Sequence, residues 1–438
     1  MKHKKLFITL TAVLTVFVFF GIFILMWFFG DSYKDFKEFE KEIAIEGLSD
    51  GAIPQGIAVY HANYTDNDDL DAKGNPKTKE QQYFLVSAYM NDGSPSRIYV
   101  TGADTGYVGY VTMVDLEGNL HDGHVGGIAT NGLKLWVTSG DSVMVAKASS
   151  EYSTLNILRE IVDKAEKNSE LAEGEEPYSI QFTASFKANC NAAFLFYYDD
   201  SRYTDVEYDR LYVGEFYRKG NYETDATHRL KTPAGYKNTA LMYEYNIDKS
   251  PDNPYGLKRI VAANKNDPAI TEENNVPLIQ KIYSLPEKIQ GIAFSGRTGY
   301  STSDGILVLS QSYGLSNSHL LCFNWKLVNE TSNRALFKQA TGEDFIYDGV
   351  FKKIGDRQTP YIDNNLYVYY VDKGNKEMFV NDYSIPSMSE GMCVVTPSGP
   401  NSAAVGRIYV LFESAGKKYN KFTREKIKNV YSFIPHIH

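Results

Sequence analysis

The sequence predicts an all-β fold built from five similar units, and two observations support this. A motif made of a polar residue, a small residue and an apolar run recurs along the chain, with Gln290-Gly291-Ile292-Ala293-Phe294 as its clearest copy. After each copy come short runs rich in aromatic and β-branched residues, separated by turn residues, as antiparallel strands usually are. Four such strands per unit predict a β-propeller of five blades.

The strands of each unit follow its motif in order. In the first unit they are expected at 56–61, 83–89, 97–101 and 109–116, with an exposed loop at 64–82. In the second they are expected at 133–139, 142–148 and 179–186, and in the third at 210–216, 240–246 and 278–285. In the fourth they are expected at 305–310, 319–325 and 377–385, and in the fifth at 407–412 and 429–434. Apolar residues three and four apart predict a helix within 154–167, and a short helix is expected near 333–339.

The fifth unit has only three strands of its own. Residues 42–48, near the other end of the chain, read as a strand and could supply the fourth. Such pairing would close the ring and remove its open edge. Six blades is the alternative, because residues 365–371 also read as a strand.

The N-terminus has the pattern of a membrane anchor. Residues 6–30 carry no charge and are long enough to cross a bilayer, and three lysines precede them. The lysines predict a cytoplasmic N-terminus, and bulky rings stand where a signal peptidase needs small residues. We therefore expect residues 1–30 to form a tail and uncleaved transmembrane anchor, 31–41 a stalk, and 42–438 an extracellular domain; a cleaved signal peptide is the alternative.

Charge and cysteine content narrow the functional classes. The whole chain carries a net charge of −9, and the part outside the membrane is about −12 without the three N-terminal lysines. Such acidity argues against binding nucleic acid and against electrostatic attraction to anionic lipid. No glycine-rich segment has the lysine and helix of a phosphate loop, so no nucleotide is expected. Three cysteines, expected to be buried thiols, suit a Gram-positive-type bacterial surface.

The motif also predicts where a site would lie. In each unit the polar position should face the mouth of the central tunnel, and the following small residue lets backbones approach at the axis. The five residues at this position are Gln55, Gly126, Asn191, Gln290 and Glu390. Their oxygen atoms could bind a small ligand or calcium, although only Glu390 is a carboxylate. Alternatively, the amides bond to one another and to tunnel water.

Other titratable residues lie near this position. His124 lies two residues before Gly126 and could act as a general base, since histidine titrates near neutral pH. Asp141, Glu215 and Glu413 follow second strands, where solvated loop carboxylates are expected.

The blade layout over residues 42–438, with Asn191 and Glu390 at the tunnel, resembles the calcium-dependent lactonase and strictosidine-synthase-like propellers. That resemblance implies Ca²⁺ held by Glu390 and Asn191 and hydrolysis of lactones or esters. The sequence leaves three hypotheses open. The domain binds a cell-wall glycan or a surface protein, it hydrolyses a lactone or ester, or it is a structural docking platform in an envelope complex.

Overall fold

The computed structural model describes residue 33 and residues 35–70, 76–152, 156–198, 209–260, 275–296, 305–395 and 406–436. The strands are β1 (Glu40–Ala44), β2 (Ala52–Leu70), β3 (Pro76–Met90), β4 (Arg97–Gly102), β5 (Gly106–Val114), β6 (Ile128–Thr130), β7 (Leu135–Ser139), β8 (Ser142–Ala146), β9 (Ser179–Gln181), β10 (Ala184–Lys187), β11 (Ala192–Tyr198), β12 (Arg210–Glu215), β13 (Ala240–Asn246), β14 (Ile279–Leu285), β15 (Ile289–Ser295), β16 (Ile306–Gln311), β17 (Ser318–Asn324), β18 (Arg334–Leu336), β19 (Phe345–Ile354), β20 (Arg357–Asp363), β21 (Tyr367–Tyr370), β22 (Phe379–Ile385), β23 (Ser389–Val395), β24 (Arg407–Phe412) and β25 (Asn429–Phe433). The helices are α1 (Ile157–Ser169), α2 (Trp325–Val328) and α3 (Phe337–Thr341), with 3₁₀ turns at Asp35–Glu38, Ala226–His228 and Thr331–Asn333.

Five sheets form five blades around one axis, as the sequence predicts. Blade 1 is β2 to β5, blade 2 is β6 to β8 with β10, blade 3 is β11 to β14, blade 4 is β15 to β17 with β22, and blade 5 is β23 to β25 with β1. The first strands of the blades, β2, β6, β11, β15 and β23, contact one another in a closed ring. We call the end at which these five strands begin the mouth face.

The N-terminal strand closes the ring. β1 pairs antiparallel with β25, with Glu40 opposite Ser432 and Ala44 opposite Asn429. The pairing confirms the predicted closure, although the strand begins two residues earlier than expected. Phe39, just before β1, is buried and stacks on Phe433 with ring centroids 4.5 Å apart. This apolar contact holds the closing strand in place because it removes both rings from water.

Two insertions add strands to a neighbouring blade. β9 runs parallel to β5 of blade 1, so the single strand predicted at 179–186 is in fact split between blades 1 and 2. β21 runs parallel to β14 of blade 3 and carries β18 outside it, so the strand predicted at 365–371 does not form a sixth blade. Both insertions cover an outer sheet edge, where unpaired backbone groups would otherwise be exposed.

Three local predictions differ in detail from the structure. The loop expected at 64–82 is instead a continuation of the β2–β3 hairpin, whose pairing reaches Leu70 opposite Pro76. Helix α1 begins at Ile157 after Asn156, whose side chain accepts a hydrogen bond from the Arg159 N–H and caps the helix. The short helix expected near 333–339 is α3, Phe337–Thr341.

The core lies between the faces of adjacent blades. Aromatic pairs mark three of these interfaces: Phe84 with Tyr409 at 5.1 Å, Trp136 with Tyr197 at 6.2 Å and Phe196 with Phe294 at 5.5 Å between ring centroids. The three cysteines are buried and form no disulfide. The high aromatic content thus fills the wedges between neighbouring sheets.

The predicted membrane anchor, residues 6–30, lies outside the described residues. Within the described part of the chain, no helix combines the length and apolar character needed to cross a membrane. Residues 35–39 of the predicted stalk pack against blades 4 and 5. There the ring centroids of Phe36 and Tyr431 lie 4.6 Å apart, and the Asp35 carboxylate accepts the Ser384 N–H at 3.1 Å.

Candidate functional site

The repeated motif forms a β-bulge at the mouth face. Strand pairing shifts between Pro54 and Gly56, between Ile289 and Gly291, and between Ser389 and Met392. The polar residue of the motif, Gln55, Gln290 or Glu390, is therefore left out of the regular ladder in each case. Bulges bend a strand and redirect its side chains, and they often lie at barrel rims and binding sites.

The small residue of the motif is required by close contact between blades. A Cβ added to Gly391 would lie 2.9 Å from the backbone oxygen of Gln55, and one added to Gly56 would lie 2.7 Å from the nitrogen of Ile128. The corresponding distance from Gly127 to the nitrogen of Leu195 is 2.4 Å. These contacts follow the ring from blade 5 to blade 1, blade 2 and blade 3, as the motif predicts.

Hydroxyl groups from the second strand support the bulges. Ser87 Oγ accepts the N–H of Gly56 at 3.2 Å, and Thr138 Oγ1 accepts the N–H of Gly127 at 2.6 Å. The bulged backbone would otherwise leave these donors without a ladder partner in the interior. A serine or threonine late in the second strand is thus part of the same structural unit.

Blade 3 departs from the pattern that the sequence predicts. The pairing there shifts between Ala192 and Phe194, so Ala193 is the bulged residue. Gly127 contacts Phe194 and Leu195 in the way that Gly56 contacts Gly127 and Ile128. Ala193, rather than Asn191, is therefore equivalent to Gln290. The ring of Phe194 is accommodated by Gly214 opposite, where an added Cβ would lie 1.9 Å from the Phe194 ring.

A pair of carboxyl groups dominates the mouth face between blades 5 and 1. Glu390 is 3% exposed, and its side chain is hydrogen-bonded to that of Glu413, which follows β24. The other contact of Glu413 is with Gln55, whose Nε2 donates to its Oε2 at 3.2 Å. Glu413 is placed there because its N–H donates to the oxygen of Met388 at 3.1 Å. Two predicted site residues, Gln55 and Glu390, thus meet through a third residue, the acid Glu413.

Burial keeps a proton on this pair. Burial first, and then the charge of Glu413, raises the pKa of Glu390 well above its usual value. Burial raises the pKa of Glu413 to about 7, although the ammonium of Lys418 opposes that rise. Because two carboxylates in contact cannot both be ionised cheaply, Glu390 donates the shared proton and Glu413 accepts it at neutral pH.

Aromatic and basic side chains border the carboxyl pair. Tyr89, the next-to-last residue of β3 in blade 1, is hydrogen-bonded to Tyr419 and stacks on the ring of His124 at 3.9 Å between centroids. Lys418 donates from Nζ to the Tyr89 hydroxyl at 3.2 Å. Burial and the charge of Lys418 lower the pKa of His124, so its imidazole is neutral near pH 7. The mouth face therefore presents hydrogen-bond donors, acceptors and flat rings within a small region.

The predicted donors do not converge as a calcium site would require. Asn191 is exposed and lies two residues before the bulge, and Gly126 and Ala193 carry no donor side chain. The described residues include no group of three or more His, Cys, Asp or Glu side chains that could hold a metal ion. Calcium usually takes six to eight oxygen ligands, whereas Glu390, Glu413 and Gln55 bond to one another. Calcium binding by Glu390 and Asn191 stays a prediction.

The three second-strand carboxylates expected in solvent behave differently from one another. Asp141 is solvent-accessible and pairs with Lys187 at 3.0 Å. Glu215 is 2% exposed, lies 2.7 Å from His228 Nδ1 and accepts the Leu241 N–H at 2.8 Å. Glu413 is half-buried in the carboxyl pair. For Glu215 and Glu413 the prediction was wrong, because the connection after the second strand folds back over the mouth face.

Sequence reasoning placed Glu413 in a solvated loop and did not single out Tyr89, Lys418 or Tyr419 as neighbours of the motif. A usable signal was present, since Tyr89 and Glu413 each stand two residues after the second-strand residue opposite the bulge. Aligning the ends of the second strands, as well as the motifs, would have brought these residues together. The loop after β24, which carries Lys418 and Tyr419, lies outside the repeated motif.

The backbone before the bulge is strained in two blades. Lys288 and Met388, each two residues before the bulged residue, have φ angles of 62° and 64°. Left-handed backbone costs a residue other than glycine about 1 to 2 kcal/mol. We expect Lys288→Gly to stabilise the chain by about 0.5 kcal/mol or more in thermal unfolding, since the Lys288 side chain pairs with Glu287 at the surface, where an ion pair contributes little. Lys147→Gly, at an exposed position where φ is not positive, should destabilise the chain. If both substitutions change the free energy of unfolding in the same direction, backbone strain at Lys288 is not the cause.

The arrangement defines the chain as a five-bladed β-propeller with a polar site at one end of its axis. No protein-family model matches the sequence, and no curated protein matches it. Among solved structures, a GH43_1 enzyme from Xanthomonas citri is 11% identical over 89% of this chain and 93% of its own, with a TM-score of 0.31. The WD40 domain of Toxoplasma gondii coronin is 9% identical over 91% and 90%, with a TM-score of 0.27. Hsv2 of Kluyveromyces lactis is 8% identical over 83% and 91%, with a TM-score of 0.21. Likenesses at this level carry no information about function.

Proposed function

We propose that this protein is a membrane-anchored, extracytoplasmic binding module that recognises a polar ligand at the mouth face of the propeller. Residues 6–30 would anchor it in the cell membrane with the N-terminus in the cytoplasm, as their charge pattern predicts. The binding residues would be Gln55, Glu390 and Glu413, with Tyr89 and His124 beside them. Asn191 and Gln290 lie on other blades and would contact only a larger ligand.

The observation that carries this proposal is the hydrogen-bonded pair of Glu390 and Glu413. Burying two acids together costs free energy that an apolar pair would not, so the pair is poorly explained by stability alone. The shared proton is used within the pair, so the remaining carboxyl oxygen atoms act as acceptors, which suits the hydroxyl groups of a sugar. The half-buried ring of Tyr419 and the exposed ring of His124, which stacks on buried Tyr89, supply flat faces of the kind that sugar rings pack against. A cell-wall glycan is therefore the ligand class we favour, with a surface protein as the alternative.

Binding of soluble cell-wall glycan fragments to the full chain in detergent micelles tests this proposal. We expect Glu413→Gln to weaken binding by about tenfold, as loss of a charge-assisted hydrogen bond would. Glu117→Gln, which changes an exposed acid in a turn away from the pair, should leave the dissociation constant unchanged. Calorimetric titration measures both. If no wall fragment binds the unmodified chain, a purely structural docking platform becomes the better hypothesis.

A second candidate is a hydrolase of lactones or esters. It is favoured by the position of Glu413, which contacts Gln55 and Glu390 at the mouth face. Burial there raises the pKa of Glu413 to about 7, which suits a group that exchanges protons at neutral pH. In this case Glu413 would be the general base or acid, and His124, neutral and stacked on Tyr89, would be a further proton acceptor. Calcium held by Glu390 and Asn191 belongs to this candidate.

Turnover of lactone and ester substrates, measured with and without a chelator, separates the candidates. A hydrolase of this kind should lose at least about a hundredfold in kcat with Glu413→Gln, as removal of general acid–base catalysis does. Loss of turnover in the presence of a chelator would show that the reaction also requires a bound metal ion. If the chain binds glycan and shows no detectable turnover, the binding module is the hypothesis that remains.

A further inference from the structure

A strongly basic loop projects from the mouth face of an acidic protein. Residues 416–428, called here the blade-5 loop, form most of the connection between β24 and β25. They contain six basic residues and one acidic residue, whereas the whole chain carries −9. The exposed basic residues are Lys417, Lys418, Lys421, Lys426 and Lys428. Phe422, in the middle of the loop, is 65% exposed, more than any other exposed large apolar side chain of the described residues. A single exposed ring is ordinary by itself. A ring among five exposed lysines, however, combines an apolar contact with a basic cluster, as surfaces that bind anionic lipid do.

The blade-5 loop is held in a fixed conformation. The N–H groups of Tyr419 and Asn420 both donate to the oxygen of Gly416 at 2.9 Å, and that of Phe422 donates to the oxygen of Tyr419 at 2.8 Å. Thr423 Oγ1 donates to the Ser414 oxygen at 2.7 Å, and Ser414 Oγ accepts the Ile427 N–H at 3.1 Å. The loop therefore holds Phe422 outward on a preformed frame, which lowers the entropy lost on binding.

The N-terminal chain reaches the propeller beside this loop. Arg424 lies over the ring of Tyr33, 5.9 Å from its centroid, and Phe36 packs on Phe412 at the end of β24. Asp35 also accepts the N–H of Ser384, near the mouth end of β22. The uncharged run that predicts the anchor ends at Gly30, three residues before Tyr33. Three residues span at most about 10 Å, so an anchored chain keeps the blade-5 loop within reach of the headgroups.

We propose that the blade-5 loop docks on the anionic lipid surface of the membrane in which the chain is anchored, with Lys417, Lys421 and Lys426 on the headgroups and Phe422 at the interface. The proposal rests on the anchor that belongs to the proposed function. It also explains how an acidic domain can face a membrane. Electrostatic attraction to the headgroups falls off within a Debye length, so the charge of the nearby loop matters more than the net charge of the domain. The mouth face then looks toward the bilayer, and its ligand has to enter from the membrane-proximal side.

The test uses the full chain in nanodiscs of phosphatidylcholine alone or with phosphatidylglycerol. Hydroxyl-radical oxidation of the Phe422 side chain, read by mass spectrometry, reports its exposure, and Tyr107 at the β4–β5 turn is the internal reference. We expect oxidation of Phe422 to fall about tenfold in the anionic discs, and Tyr107 to be unchanged, since each lysine near an anionic surface contributes roughly a fivefold factor. High salt should restore the oxidation.

Two matched triple variants control for net charge. Lys417→Gln, Lys421→Gln and Lys426→Gln together should abolish the protection, while Lys147→Gln, Lys326→Gln and Lys376→Gln, all exposed and on other parts of the surface, should preserve it. Equal loss in both variants, or equal protection in neutral discs, would overturn docking by this loop. If the chain is incorporated into anionic discs and Phe422 is not protected from oxidation, docking by this loop is overturned. Glycan binding at the carboxyl pair is unaffected by that result. A chain that enters no disc would overturn the anchor and the docking together.

Discussion

Gly291→Ala is expected to destabilise the propeller by about 2 to 3 kcal/mol, because the added methyl group has no space at the axis. Its Cβ would lie 2.9 Å from the oxygen of Glu390 and from the Cα of Gly391, and 3.1 Å from the nitrogen of Met392. All three atoms belong to the backbone of the next blade, so no flexible side chain can move aside. Relief requires blades 4 and 5 to separate, and that disturbs the ring of inner strands. Thermal or urea-induced unfolding of the detergent-solubilised chain measures the loss.

A second glycine near the end of the same strand provides the control. Gly296 follows β15, and a Cβ there would meet its nearest neighbour, the Cα of Gly305, at an ordinary distance of 3.9 Å. Gly296→Ala should therefore change the free energy of unfolding by less than about 0.5 kcal/mol. Gly127→Ala, with a contact of 2.4 Å to the nitrogen of Leu195, should cost more than Gly291→Ala. Equal effects of the three substitutions would show that contact at the axis does not explain the glycines of the motif.

The blade count and the closure of the ring could be predicted because both depend on local patterns. Four of the five blades repeat a small residue near the start of the inner strand, and this leaves a trace within a few residues of sequence, as at Gln290 and Gly291. The closing strand, Glu40–Ala44, was predicted because blade 5 lacked one strand and a strand pattern stood unassigned near the N-terminus. Unpaired edges are costly, so the missing partner was a physical requirement.

The remaining features depend on contacts between distant parts of the chain. In blade 3 a large residue, Phe194, occupies the position of the motif glycine, and Gly214 on the next strand makes room for it. The motif gave no sign of this exchange, and the alignment therefore chose Asn191 in place of Ala193. The strands β9 and β21 likewise pair in parallel with a preceding blade, which no periodicity in their own sequence indicates. Glu413 belongs to the site only because the pairing of β23 with β24 brings it to Glu390.

The carboxyl pair should make the protein less stable as the pH rises from about 4.5 to about 7. Glu390 and Glu413 both have pKa values raised above the ordinary value of 4.5, that of Glu413 to about 7. In this range the folded chain binds more protons than the unfolded chain, so the free energy of unfolding decreases with increasing pH. The stabilisation is fully present below the pKa of these groups in the unfolded chain, and it is lost as the pH rises through their pKa in the folded chain. From Glu413 alone the decrease is on the order of 2 to 3 kcal/mol.

Other acids titrate in the same range, so the effect is isolated as a difference between variants. Glu413→Gln keeps an acceptor for the proton of Glu390 and removes the second charge. The unmodified chain should therefore lose about 2 kcal/mol relative to Glu413→Gln between about pH 5 and about pH 8, measured by urea-induced unfolding at fixed ionic strength. For Glu117→Gln, at an exposed turn, the free energy of unfolding plotted against pH should run parallel to that of the unmodified chain over the whole range. Parallel curves for Glu413→Gln as well would mean that Glu390 and Glu413 do not hold a proton between them. In that case the mouth face would be a doubly charged site, suited to a cation and not to sugar hydroxyls.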